Sequence, residues 1–395
     1  MPIAGNRAWV GFAKAGAPTY LTSATAVAAV SIPVNGTVVP ASSTIYFIDG
    51  ANSESATVTA GGGSSTLTVA ATTFAHPVNC PIFWQLTASL GPASWMPVTM
   101  IDPADMITTV NDVGLRGSNV AVYSVTNTEA HAEIGIDGDM FPDVFGFVLG
   151  SVYGAVDFSA GTPNVHTFAG MNTSASNGQP TPLLLFVYNS FNVRLYAGAK
   201  CSEVVIKYDP AGNVTYTSKW MAFQSVVVAS YTPSFSALTP QAAWQAAASV
   251  NSVTIPNVLT ADFTVKRDSM EAVNTLDGNQ QALVVWAGPL STAGNLTMTY
   301  ENDTIMALYQ AGTQVPITFT LTNGTGATQV QLQIQMTKAL LVTGWKPTIP
   351  GSKGYVELGG PVTAVGNTTD ANTAGGGYSP SRAVLKNTVA TGSYQ

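Results

Sequence analysis

Residues 261–337 alternate apolar and polar side chains with a period of two, and this limits the possible fold more than any other feature of the chain. Val330, Leu332, Ile334 and Met336 interleave with Gln329, Gln331, Gln333 and Gln335. An extended strand there has one apolar face and one amide face, whereas helical spacing would scatter the two classes around an axis. Leu296, Met298 and Tyr300 alternate in the same way with Thr297, Thr299 and Glu301. Ile317, Phe319 and Leu321 alternate with Thr318, Thr320 and Thr322, and Phe263 and Val265 sit between Asp262, Thr264 and Lys266. Asn302 is placed to cap a helix that carries Ile305, Met306, Leu308 and Tyr309 on one side and stops at Gly312. The unit reads strand, strand, strand, helix, strand, strand.

A chain of 395 residues can hold two or three domains with full cores. It is 46% hydrophobic and only 9% charged, whereas soluble domains carry about a quarter charged residues. The missing charge implies surface buried against other subunits, or a β exterior rich in Thr, Ser and Asn. No stretch approaches the roughly 20 consecutive apolar residues of a spanning helix. Met1 to Val10 has Arg7 but no apolar run or cleavage site after it, so no secretory signal is expected. The net charge of −7 leaves no basic stripe with which to grip nucleic acid, and Lys266 and Arg267 are the only adjacent basic pair. Cys80 and Cys201 are too few and too far apart for a disulfide framework, and read as small buried apolar residues.

In chain order, residues 1–25 hold a strand around Ala8–Phe12 and a small-residue arm, which either adds a strand to a neighbour or is the first strand of its own subunit. Residues 26–93 read as a small inserted all-β module facing outward, with strands at Ile45–Ile48, Ala56–Thr59, Thr66–Val69 and Ile82–Leu86. Residues 94–235 form a first β domain with strands at Val120–Thr126, His131–Ile136, Leu183–Tyr188, Val193–Tyr196, Cys201–Tyr208 and Val214–Trp220. Asp209–Asn213 makes the last two a hairpin. A helix with Pro142 in its first turn, Asp139 and Asp143 near its positive end, and Phe145, Val148, Leu149 and Val152 inside stops at Gly154. Residues 236–345 form the second β domain, with a helical turn or two expected at 241–249. Residues 346–395 are rich in Gly and Thr and mostly loop; Ala383–Leu385 with Val389 is either a strand returning to the first domain or part of a disordered tail.

The order of these features carries a resemblance. A β-meander crossed by one short helix, preceded by Leu115-Arg116-Gly117-Ser118 and His166-Thr167-Phe168, resembles the major tail tube protein of long-tailed, siphovirus-type bacteriophages over roughly residues 94–395. The resemblance implies a mainly β fold of two tandem tail-tube-type β-sandwich or half-barrel domains, each with a short flanking α-helix, plus the inserted module. It also implies a non-enzymatic subunit with no cofactor, located in the virion tail tube and assembled in the host cytoplasm. The subunit would stack in rings into a channel for viral DNA, which passes without specific binding during ejection. If the two domains are a duplication, a trimer approximates a six-fold ring. The implied partners are the chain itself, the tape measure protein, and tail terminator or tail tip proteins; no membrane is involved. An acidic bore would repel DNA from every side and let it slide. Candidate bore residues are Asp262, Glu301 and Thr297. The candidate interface strand is the row Gln329, Gln331, Gln333 and Gln335, which can equally be a solvated face. Phe145, Val148, Leu149, Ile305, Leu308 and Tyr309 are the expected core residues of the two helices. The alternative is a capsid decoration protein or a receptor-binding adhesin.

Other constellations carry less. Asp137, Asp139 and Asp143 lack the ligand series of a calcium loop. His76, His131 and His166 are far apart, with no partner at metal or triad spacing, so no Ser-His-Asp site is supported; His166 and Phe168 are expected to fix a loop. Gly61–Gly63 and Gly375–Gly377 precede no Lys-Ser/Thr pair and are not phosphate cradles.

Overall fold

Alternation resolves into strands, and their chain order is as follows in a computed structural model that describes residues 8–16, 18–85, 92–114, 120–173, 177–276, 280–349, 351 and 354–394. The motif Leu115–Ser118 therefore lies outside the described residues, as do the first seven residues and Leu86. β1 (Trp9–Lys14) leads into β2 (Thr19–Tyr20), β3 (Ser31–Pro33), β4 (Thr44–Phe47), β5 (Glu54–Ala60), β6 (Thr66–Val69) and β7 (Pro81–Gln85). Then come β8 (Ser94–Met96), β9 (Met100–Asp112), β10 (Ser124–Asp139), α1 (Phe145–Tyr153), β11 (Gly154–Ser159) and β12 (Asn164–Gly170). β13 (Leu183–Tyr188), β14 (Val193–Tyr208), β15 (Thr215–Ala222) and β16 (Val226–Val228) follow. The rest comprises β17 (Ala246–Val250), β18 (Val253–Ile255), β19 (Val258–Arg267), β20 (Glu271–Val273), β21 (Val284–Trp286), β22 (Leu290–Thr299), α2 (Thr304–Ala311), β23 (Val315–Asn323), β24 (Val330–Leu341), β25 (Lys346–Thr348), β26 (Glu357–Ala364) and β27 (Arg382–Asn387). The fold is mainly β.

Strands β2 to β7 form their own six-stranded sheet, in the order β2-β7-β4-β5-β6-β3. A bridge between Leu21 and Val34 ties its two outer strands together, so the sheet curls shut on a core of Ile32, Ile45, Phe47, Leu67 and Ile82. β2 lies within the stretch read as an arm, because two residues are too few to show alternation. His76 gains partners here that sequence spacing concealed: its ring faces Asp49 at 3.1 Å and Glu54 at 2.9 Å and stacks on Phe47.

All the remaining strands but β20 and β21 make a curled sheet that folds over a main core, with a second apolar cluster around Leu184, Phe186, Leu195 and Phe223. Its wall runs β9-β10-β15-β14-β19-β22-β26-β25. Across the core lies the row β18-β17-β23-β24-β27-β12-β11. Phe319 of that row packs on Phe263 and Tyr208 of the wall, with ring centroids 4.6 and 5.7 Å apart. β14 belongs to two layers: its first part pairs with β13 and β16, its second with β15 and β19. The bend falls at Gly198, whose φ of +65° suits glycine and whose missing Cβ leaves room for the rings of Phe83 and Phe223.

α1 is apolar all round (Phe145, Val148 and Leu149 have no exposed surface) because it is enclosed on every side. It starts after Pro142 with Val144 as N-cap and has no acid in its first turn. The expected role of Asp139 and Asp143 at its positive end is thus corrected: Asp139 closes β10 and accepts from Asn213 Nδ2 at 3.3 Å. Its C-terminus ends at Gly154, φ +96°, where Arg267 reaches in from β19 and donates to the carbonyls of Val152, at 2.7 Å, and Tyr153. Lys200, also buried, donates to Gln179 Oε1 at 3.0 Å and the Val285 carbonyl at 2.8 Å. Burial, then the nearby Arg267 charge, lowers its pKa to about 8. The unfolded amine keeps its proton to about 10.5, so between these values the unfolded chain binds more protons and stability rises with pH. The Cys80 and Cys201 thiols, pushed up by burial, act in the opposite sense over the same range, so the Lys200 contribution is read as a difference: from pH 8 to 9.5 the native chain should gain about 1.5 kcal/mol relative to Lys200→Met in paired thermal melts.

Several expectations change in three dimensions. The strands expected at Val120–Thr126 and His131–Ile136 fall on one strand, β10, which starts only at Ser124 and is interrupted by a bulge between Asn127 and Ala130. The pieces Val193–Tyr196 and Cys201–Tyr208 are likewise one strand, β14. Of the helical turn or two expected at 241–249, one is present, a 3-10 turn at Ala243–Gln245, after which Ala246–Val250 pairs with β23; there the short alanine run loses to a ladder of hydrogen bonds. Between β19 and β22, the third strand of the expected meander is instead the pair β20–β21, a sheet of its own. The N-cap of α2 is Asp303 and not the expected Asn302, whose Oδ1 turns the chain just ahead of the helix by accepting from the Thr304 amide at 3.1 Å; the helix stops at left-handed Gly312. In α2, Ile305 is buried and Leu308 and Tyr309 are half-buried against the core.

The C-terminal stretch is fastened. β27 pairs with β12 on one edge and β24 on the other. Tyr394 is buried against Gly146 of α1, where a Cβ would lie 2.5 Å from its ring. Its hydroxyl donates to the Asp143 carbonyl at 2.6 Å and accepts from Asn387 Nδ2 at 2.8 Å. Burial holds the His166 imidazole below its ordinary pKa, and its neutral Nε2–H donates to the Val389 carbonyl at 3.1 Å.

Candidate assembly surface

The wall supplies a face, two edges and two rims. Residues facing away from the core alternate along every strand, and the registers bring them into rows: Glu133, Lys219, Glu203 and Lys266 lie on the same side, as do Lys207 and Asp262. Lys219 Nζ meets Glu203 Oε1 at 2.9 Å. Asp102, Asp137 and Asp139 add acids on the same face of β9 and β10, Glu357 adds one on β26, and Lys346 adds a base on β25. Acids outnumber lysines on this face, but the lysines are interleaved with them.

Of the sequence-chosen bore residues, Asp262 and Thr297 share this face. Asp262 accepts from Asn295 Nδ2 at 3.1 Å. Glu301 lies past the end of β22, at the rim, and accepts from Thr299 Oγ1 at 3.1 Å.

The Gln row sits elsewhere. Gln331 and Gln333 on β24 donate to Thr322 and Thr320 of β23, at 3.3 and 3.1 Å, and Gln335 accepts from Arg382 Nη2 at 2.8 Å. Gln329 precedes the strand. Both edges of β24 are occupied by β23 and β27, so this row reaches a neighbour only through its side chains.

The wall's end strands are β9 and β25. β9 pairs with β10 and β25 with β26. Each carries one proline, Pro103 or Pro347, a residue tolerated on edges because it needs no ladder donor. Sequence reading missed β9, since Pro103 breaks its pattern and both faces are exposed. Its signal was the β-branched run Ile107–Val110. It missed β26 because Gly359-Gly360-Pro361 reads as a turn; Trp345 lies over Gly360 at a distance that leaves no room for a Cβ.

A model of the family described as phage tail tube protein matches residues 10–377. The chain belongs to the phage tail tube protein family. It is therefore a structural component of the virion tail, of a kind that self-assembles into a tube with other tail components, and not a member of an enzyme class. The match starts at the N-terminal strand and spans the six-stranded sheet of β2 to β7, upstream of the point where the sequence resemblance began. No curated protein matches the chain. Among the described residues of this tail tube protein, no cluster of His, Cys, Asp and Glu could hold a metal, and no helix is long and apolar enough to cross a membrane.

Proposed function

We propose that this tail tube protein is the repeating subunit of a DNA conduit in a long-tailed phage, with three copies closing each ring and rings stacking into a hollow tube. The supporting observation is the join between β14 and β19. The order strand, hairpin arm, strand, helix occurs twice, as β9, β10, α1 and as β19, β22, α2, which supports an internal duplication. Each half gives four wall strands, β9-β10-β15-β14 and β19-β22-β26-β25, and within the chain the last of the first set pairs with the first of the second. Repeating that join between copies sets β25 of one against β9 of the next.

Three copies then make six near-equivalent units and a closed wall with no free edge. The prolines on both free edges discourage pairing with anything less complementary. The face away from the core becomes the bore, with Asp262 and Thr297 inside it and Glu301 at its rim. Its acids repel DNA phosphates, while Lys219 is paired with Glu203 and Lys266 with Asp268, and the lysines stand among acids rather than in a row of their own. The Gln face meets neighbouring copies through amide hydrogen bonds, without desolvating ions. The tape measure protein would fill the bore before DNA does, terminator and tip proteins would cap the two rims, and assembly would take place in the host cytoplasm. No observation favours the decoration-protein or adhesin alternative.

Native mass measurement with negative-stain microscopy of the purified chain tests this. Three-copy rings stacked into hollow tubes are expected. Dispersed monomers, or rings of another copy number, would overturn it.

A further inference from the structure

Resting on that ring-stacking reading, we propose that the β9–β10 arm of one copy seats in a groove beside Trp244 on the opposite rim of a copy in the next ring. The arm outruns the wall: β15 ends with Ala222 opposite Ala132, and Ser124–His131 beyond it pairs with β9 alone among the strands. Over that length the strand rises about 26 Å at roughly 3.3 Å per residue. Both arm faces are bare. Met106 and Val110 lie on one and Ile107 and Val125 on the other, each between 42% and 58% exposed. The stretches Met106–Asn111 and Ser124–Thr128 carry no charge.

The arm's root is braced. The Ala130 amide donates to the Gln280 carbonyl at 3.0 Å, Gln280 Nε2 donates to the Asn127 carbonyl at 3.2 Å, and Asn274 Nδ2 donates to Glu129 at 2.6 Å. A braced arm with apolar side chains on both faces is a docking element.

Strand register fixes where its receptor lies. Lys200 pairs with Met221 at the arm end of the wall, and Lys207 pairs with Thr215 at the other end. At that second rim the turn Ala243–Gln245 presents Trp244, 70% exposed, over a groove of about 300 Å³ lined by Tyr208, Pro210, Ile255, Pro256 and Phe319. No charged side chain lines it, which matches the uncharged arm, since the centres of interfaces are depleted in charge. Arm and groove sit on opposite ends of one subunit. Their contact cannot close on itself and repeats along an axis, as a tube requires.

The test combines Trp244→Ala with cross-linking. Trp244→Ala should keep its melting temperature and three-copy rings while raising the concentration needed for tubes at least about tenfold, the usual cost of losing an aromatic anchor. In mixed assemblies, Val110→Cys and Thr254→Cys chains should join through a short bis-maleimide, whereas the native chain, whose Cys80 and Cys201 are buried, should not. Tubes from Trp244→Ala at the wild-type concentration, or wild-type-like tubes without the Val110→Cys to Thr254→Cys product, would overturn this seat and leave the tube reading standing. Failure of the unaltered chain to stack would overturn both.

Discussion

Ile334→Asp is expected to yield no folded chain, and so no assembly of any kind. Ile334 has no exposed surface and sits in the middle of β24, opposite Phe319 on one side and Ala383 on the other. A carboxylate there has no water and no cation in reach. Even neutralised, it is a polar group buried without a partner, which costs several kcal/mol, on top of the roughly 2–5 kcal/mol lost with a buried aliphatic side chain. Those losses together rival the 5–15 kcal/mol that holds a typical domain folded. Since β24 is hydrogen-bonded on both edges, it cannot swing out to wet the charge without tearing β23 and β27 away. Gln333→Glu is the matched control one residue along, on the half-buried polar face, where Thr320 is its neighbour at 3.1 Å; its expected cost is under about 1 kcal/mol. Far-UV circular dichroism and a thermal melt of both variants decide the matter. A cooperative melt and normal tubes from Ile334→Asp would mean that β24 does not run through the core.

The same strand shows why part of this fold was legible. Where one side of a strand faces the core and the other faces polar surroundings, the period of two is written into the residues, as in β19, β22, β23 and β24. The C-terminal ends of the helices were legible too, because Gly312 and Gly154 solve a local problem of handedness. What failed to show were the strands at the two ends of the wall. β9 has no buried face along most of its length, so nothing selects an alternation. β26 is built around two glycines because Trp345 and the wall leave no space for side chains. β25 is only three residues long. Free edges and arms take their meaning from partners outside the chain, and within one sequence they look like loops. The partners of His76 and the groove beside Trp244 were hidden for a different reason: each gathers residues far apart in sequence, which only the closed fold brings together.

Shortening the arm should separate ring formation from stacking. Replacing Asn111–Val125 with Asn-Gly joins Val110 to Thr126, which already face each other in the ladder, through a two-residue turn whose twist suits a hairpin. The Gln280 contacts to Asn127 and Ala130 stay in place. Of the deleted residues that the structure describes, Asp112 and Tyr123 are half-buried and the rest, among them Val113, Val122 and Val125, are exposed, so their removal takes little from the core, and the melting temperature should hold within about 1 °C, or under about 1 kcal/mol. The two wall edges are untouched, so three-copy rings should still close. Tubes should not form at the wild-type concentration, because the arm then ends at Val110 and Thr126, its reach beyond the rim is cut back, and each ring-to-ring contact is repeated in every copy, which multiplies the loss. Sedimentation separates the two species, and microscopy shows whether the rings are hollow. Full-length tubes from the shortened chain would mean that stacking relies on the rims alone, whereas monomers with an intact melt would mean that the arm closes the ring instead of joining rings.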